Sequence, residues 1–181
     1  MALKTTHDVE LYMIGGAIVY VAPWDGDTPP EEADYYDVGN ATNFSFEVTV
    51  EKLKHPNLRG STRTYDDVRV IETGYTLSFS LDEHSILNWA MLVKGTVSGS
   101  TILGLQDPQK KWAVRLVENN GDEFEAKTFD FWKCELGPSG GTNLIDLENY
   151  KELPFTGEGL ADDTNHPTSP LFTITFAEPT A

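Results

Sequence analysis

From Phe44 to Glu51 apolar and polar residues alternate without a break, Phe44, Phe46, Val48 and Val50 against Ser45, Glu47, Thr49 and Glu51. A period of two puts successive side chains on opposite faces of a strand, so one face is expected on a core and the other on solvent or a polar lumen. The alternation ends near Lys52. It resumes in Val68–Glu72 and again in Tyr75–Leu81, where Tyr75, Leu77, Phe79 and Leu81 oppose Thr76, Ser78 and Ser80, predicting another pair of strands. From Asp82 the period changes: Ile86, Trp89, Ala90 and Val93 recur at three- and four-residue spacing, Asp82 stands as N-cap and Gly95 as stop, predicting the one helix. Further along, Trp112–Val117 and Phe124–Lys133 flank ENNGDE, whose Asn120-Gly121 pair signals a two-residue hairpin turn. Ala17–Val21 reads as a strand ending at Pro23, DGDTPPEEAD and CELGPSGGTN read as loops, and weaker alternation returns in Leu144–Leu147, Leu153–Thr156 and Leu171–Phe176. The sum is a mainly β fold, a β-sandwich or barrel of short strands with one flanking α-helix.

With 181 residues, 39% of them hydrophobic, the chain suits a single domain, residues 1–181. Its net charge of -16 then belongs to a folded surface. Such a surface repels polyphosphates, which argues against a sequence-reading nucleic-acid binder. The single cysteine, Cys134, cannot form an intrachain disulfide and reads as a small core hydrophobe beside Trp132. The apolar patch Leu11–Val21 is interrupted by glycines and lacks a basic leader, so no signal peptide or membrane span is expected and a soluble, cytosolic origin fits.

Candidate chemistry is sparse. His7, His55, His84 and His166 stand at no metal-ligand spacing, and Asp25 with Asp27, Asp66 with Asp67 and Asp162 with Asp163 match no calcium-loop pattern, so they read as solvated loop carboxylates. No nucleophile elbow or phosphate-binding loop is present. No catalytic, cofactor or metal site is therefore assigned, and an enzyme is the weaker class. Positive charge is a different matter: Lys52, Lys54, Arg59, Arg63 and Arg69, five of thirteen Lys and Arg, fall between residues 52 and 69. A positive segment on a negative body suits head-to-tail association of copies.

Several features in order resemble the major tail tube protein of long non-contractile-tailed (siphovirus) bacteriophages. They are Asp37-Val38-Gly39-Asn40 ahead of the alternating strand, Glu51-Lys52-Leu53-Lys54-His55 at its end, the strand Tyr75–Leu81, and LDE leading into a helix with Asn88 before Gly95. The likeness covers roughly residues 14–95. It implies a fold shared with contractile-tail and type VI secretion tubes, with rings of six copies stacked into a tube that conducts genomic DNA to the host. An N-terminal arm of about residues 1–13, a long stacking loop of about 52–67 and a flexible C-terminal end go with it. The loop would reach the neighbouring ring through Lys52, Lys54, His55, Asn57, Arg59 and Arg63, with Pro56 limiting its freedom. Glu47, Glu51, Glu118, Glu123 and Glu125 are the acids expected to face the lumen.

The implied partners are further copies of the chain, the tape measure, tail tip and tail terminator proteins, and DNA as non-adhesive cargo, in a virion tail assembled from protein made in the bacterial cytoplasm. No membrane partner is implied. The rival reading is a β-sandwich carbohydrate- or receptor-binding module using exposed Trp24, Tyr35 and Tyr36.

Overall fold

The computed structural model describes residues 16–57, 59, 62, 64–119, 127–145 and 151–176. The N-terminal arm, the C-terminal end, Arg63, Glu123 and Glu125 lie outside them. Among these residues ten strands and one α-helix follow in the order β1 (Gly16–Trp24), β2 (Tyr36–Asp37), β3 (Ala41–Asn57), β4 (Thr64–Leu81), α1 (Ile86–Leu92), β5 (Thr96–Ser98), β6 (Thr101–Leu103), β7 (Lys111–Asn119), β8 (Lys127–Pro138), β9 (Leu153–Gly159) and β10 (Phe172–Phe176). Eight of these strands form one antiparallel sheet, β2-β1-β7-β8-β9-β4-β3, with β10 also on β8; β5 and β6 pair separately. The architecture is the expected β-sandwich or barrel with a single helix.

The sheet folds on itself at β8. Residues Lys127–Phe131 pair with β10 and Cys134–Pro138 pair with β9, while the register with β7 shifts between Trp112 and Val114. A strand that changes neighbours at such an irregularity turns the corner between two layers. Aromatic rings fill the space enclosed: Phe131, 1% exposed, lies 5.2 Å from the Tyr75 ring, 5.6 Å from Phe46 and 5.9 Å from Phe172. Phe79 stacks between Phe44 and Phe155 at 5.3 and 5.2 Å. On β4 the buried residues are Tyr75, Leu77, Phe79 and Leu81, as the alternation predicts. Gly159 has to be glycine, because a Cβ there would run into the Tyr75 ring.

Three elements depart from the sequence reading. First, β4 is one strand of 18 residues, merging the two predicted ones. Second, CELGP belongs to β8 and the loop begins only at Ser139. Third, α1 is capped by Ser85, whose Oγ accepts from the Asn88 N–H at 3.2 Å; Asp82 instead accepts from Asn40. Asn88 is fully buried and donates to the carbonyls of Val38 and Glu83, both at 2.9 Å. That anchor turns Asn88, Met91 and Leu92 inward, one stripe at i, i+3 and i+4; of the predicted face Ala90 is buried and Trp89 packs against the core, while Ile86 is 39% exposed. Cys134 is fully buried and burial pushes its thiol well above the ordinary range, which keeps it protonated.

Candidate functional site

The expected stacking loop is a ribbon. β3 continues past Lys52 to Asn57 and pairs with β4 as far as Asn57↔Thr64, with register shifts at Glu51/Lys52 and His55/Pro56. Alternating apolar residues were the only strand signal available in the sequence, whereas the ladder is built from backbone groups and does not require them. Pro56 sits at a shift on an edge strand, where its missing N–H is tolerated. Lys52, Lys54, His55 and Asn57 therefore stand on β3 and Arg59 follows it.

Beyond Val48↔Tyr75 the ribbon leaves the sandwich. Among the described residues β9 covers β4 only from Thr76 to Leu81, which leaves the outer edge of Thr64–Tyr75 free, and β3 has no ladder partner other than β4. At about 3.3 Å per residue, Val48 to Asn57 projects on the order of 30 Å. Its apolar residues have nothing to cover them: Val48, Val50, Leu53, Val68, Val70 and Ile71 are 45–61% exposed. Of the predicted core face, only Phe44 and Phe46 reach the aromatic cluster.

Cross-strand pairs share a face, which fixes what each side of the ribbon carries. Val48 lies opposite Tyr75 and Val50 opposite Thr73 on the side continuous with the core. Glu47 and Glu51 lie on the other side, and Glu72 stands directly across from Glu51. The sequence reading did not include Glu72, because only the register reveals it. All three are exposed. Glu118, in contrast, is 7% exposed with Lys127 Nζ 3.7 Å away, so it presents no open carboxylate.

Near its tip the ribbon makes charge contacts of its own, one along β4 and two between β3 and β4. Arg69 Nε donates to Asp67 at 2.7 Å, Lys54 Nζ lies 5.4 Å over the Tyr65 ring, and His55 Nδ1 is 2.6 Å from Asp66 Oδ1. The hydrogen bond to Asp66, then the charge of that carboxylate, raises the His55 pKa above 6.5. A raised folded-state pKa contributes stability below the unfolded value and loses it as pH rises through the folded one. The His55 link is thus strongest at mildly acidic pH. An NMR titration is expected to place the His55 midpoint above that of a free histidine, and Asp66→Asn to bring it back; an ordinary midpoint in the parent chain would contradict the pairing.

Elsewhere, polar groups that read as candidates prove structural. Asp162 is 5% exposed and accepts from Asn165 at 2.9 Å and His166 at 2.7 Å, while His166 stacks on Trp132 with centroids 3.9 Å apart. It is a loop staple, not the solvated carboxylate expected. Arg115 lines a cleft of about 480 Å³ on the outer face of β1, β7 and β8, donating to Asp130 at 2.5 Å and Glu32 at 2.6 Å. Burial alone would weaken its charge, but those two hydrogen bonds raise its pKa. The Tyr35 ring lies on this guanidinium, 4.6 Å away, and burial pushes its hydroxyl up to about 12. Trp24 is 5% exposed and the Tyr36 hydroxyl is enclosed, so two of the three aromatics expected to be exposed are not available as a binding platform.

Among the described residues no three His, Cys, Asp or Glu side chains are grouped to hold a metal ion, and no helix is long and apolar enough to cross a membrane. No protein-family model matches the chain, and neither does any curated protein.

Proposed function

We propose that the chain is a self-assembling tube subunit of the tail-tube type: six copies close a ring, rings stack, and the bore passes duplex DNA as cargo. The observation that carries this reading is the projecting ribbon, with both edges free among the described residues and apolar side chains exposed. An isolated two-stranded ribbon is marginal in water, and a long apolar edge is a template for pairing with another chain. Strand addition between copies satisfies both. Because β3 and β4 are antiparallel, rotation about an axis along the ribbon brings β3 of one copy beside β4 of the next with the same antiparallel sense. Each copy then offers one edge and accepts the other, a heterologous contact that closes into a ring.

In such a ring the core-side face of the ribbon packs against protein, and the face with Glu47, Glu51 and Glu72 lines the bore. DNA carries about one negative charge per 1.7 Å of duplex axis, so an acidic wall keeps it from adhering. Tape measure, tail tip and terminator proteins are the partners at the ends of such a tube, and the virion tail is its location. Negative-stain microscopy and light scattering of the concentrated protein are expected to show rings or tubes that do not retain duplex DNA at physiological salt. A monodisperse monomer at every concentration would overturn the reading, and tight DNA retention would overturn the cargo role.

A further inference from the structure

Register places a set of polar side chains on the side of β1, β7, β8 and β10 turned away from the core. Tyr20 pairs with Arg115 and Arg115 with Asp130, while Val117 pairs with Thr128 and Thr128 with Thr175. Cross-strand partners share a face, so these residues form two adjacent rows across the four strands. The neighbours that alternate with them, Val19, Val21, Val114 and Phe131, are buried in the core. Together with Tyr35 and Glu32 the two rows line the cleft of about 480 Å³ around Arg115. Small-molecule sites occupy about 300–1,000 Å³.

One wall of the cleft is fixed by its own hydrogen bonds. The Glu31 N–H donates to Asp34 Oδ2 at 2.8 Å across the 3-10 turn Glu32–Asp34, Glu32 is tied to Arg115, and the Tyr35 ring rests on the guanidinium. These bonds do not exhaust the polar groups. Asp130 is 9% exposed and engages Arg115 through Oδ1 alone; its Oδ2 has no partner among the described residues and is not enclosed by protein. Arg115 donates through Nε and Nη1, which leaves Nη2 without an acceptor among those residues. The hydroxyls of Tyr20, Thr128 and Thr175 are likewise unpaired there and open. A largely buried carboxylate oxygen without a donor carries a desolvation cost that a ligand hydroxyl in the cleft removes.

Charge narrows what can enter. One guanidinium against two carboxylates leaves the cleft net negative on a chain of -16, which disfavours anions. A cation would have to displace Arg115, which holds both carboxylates at 2.5 and 2.6 Å. A neutral ligand with donors and acceptors side by side meets neither obstacle. In a vicinal diol one hydroxyl accepts from Arg115 Nη2 and the next donates to Asp130 Oδ2, while the threonine hydroxyls serve in either sense. Tyr20, Tyr35 and Val117 add apolar surface for the C–H face of a sugar ring.

We propose that this cleft binds a neutral sugar, a hexose unit of a glycan, held by Arg115, Asp130, Thr128 and Thr175. Of the three aromatics expected to serve a glycan, only Tyr35 lines it. The inference goes beyond the tube reading and does not depend on it, because none of these residues belongs to the ribbon.

Saturation-transfer NMR of the full chain with glucose, galactose and N-acetylglucosamine reads the contact on the sugar, in monomer and assembly alike. At least one of the three is expected to give a saturable signal, while N-acetylneuraminic acid and, at mildly acidic pH, glucosamine give none. Thr128→Val with Thr175→Val removes two hydroxyls at nearly constant shape from strand positions that suit valine. It is expected to weaken binding about tenfold, as the loss of two neutral hydrogen bonds implies, with melting temperature and assembly state unchanged. Tyr20→Phe, which removes one hydroxyl, should weaken it less. No signal from any neutral sugar, or undiminished binding by the double-valine chain, would overturn the site. A signal from the anionic or cationic probe as strong as from the neutral sugars would overturn the ligand class. Either failure leaves the tube reading standing, and a strictly monomeric parent that binds sugar would remove the tube reading alone.

Discussion

Replacing residues 51–72 by Asn-Gly is expected to yield a folded, monomeric sandwich that forms neither rings nor tubes. The register makes the excision clean: Val50 pairs with Thr73, and Asn-Gly between two paired residues is a favoured two-residue hairpin turn. Almost nothing inside is disturbed, because no residue in the described part of 51–72 is buried. The like-charge pair Glu51↔Glu72 is removed as well. Unfolding should therefore occur at or slightly above the parent temperature, while light scattering and microscopy find monomer alone. Tubes from the shortened chain would show that the ribbon is not the assembly element.

The largest effect on stability is expected from Phe131→Ala. Phe131 lies on β8 where the two layers meet, and rings from β3, β4 and β10 all close on it within 5.2–6.3 Å. Truncating a buried phenylalanine costs about 3–5 kcal/mol, since the cavity left behind adds to the lost transfer energy. With a urea dependence of about 2 kcal/mol per molar, the unfolding midpoint of the monomer should fall by about 2 M. Val70→Ala on the ribbon, 54% exposed, serves as the contrast and should stay within about 0.5 kcal/mol. Equal losses at the two positions would mean that Phe131 does not hold the layers together.

The two experiments divide the molecule into a part expected to fold alone and a part proposed to depend on neighbours, and sequence periodicity is informative mainly for the first. Alternation marks the residues that must leave water, so Tyr75, Leu77, Phe79 and Leu81 were legible as a core face. The change of period located the helix and put Ala90 and Trp89 on the core, but not Ile86, because a buried asparagine with two carbonyl partners anchors the helix through its own side. In the ribbon the same alternation pointed to a core that a single copy does not provide.

Polar residues show the contrast most clearly. Glu47, Glu118 and Asp162 are alike in sequence as carboxylates on a polar face or in a loop, yet Glu47 is exposed while the other two are buried against Lys127 and His166. Burial of a charge depends on a partner distant in sequence, and local periodicity carries no record of it. The sequence by itself determined a mainly β chain with one helix, its β4 core face and a basic segment on an acidic body. Only the tertiary structure decided that this segment is a ribbon with two edges free among the described residues, that Glu72 stands across from Glu51, and that Trp24 is buried. The physical reason is that backbone ladders, register and long-range ion pairs are contacts between residues far apart in the chain, and they form only when the layers close.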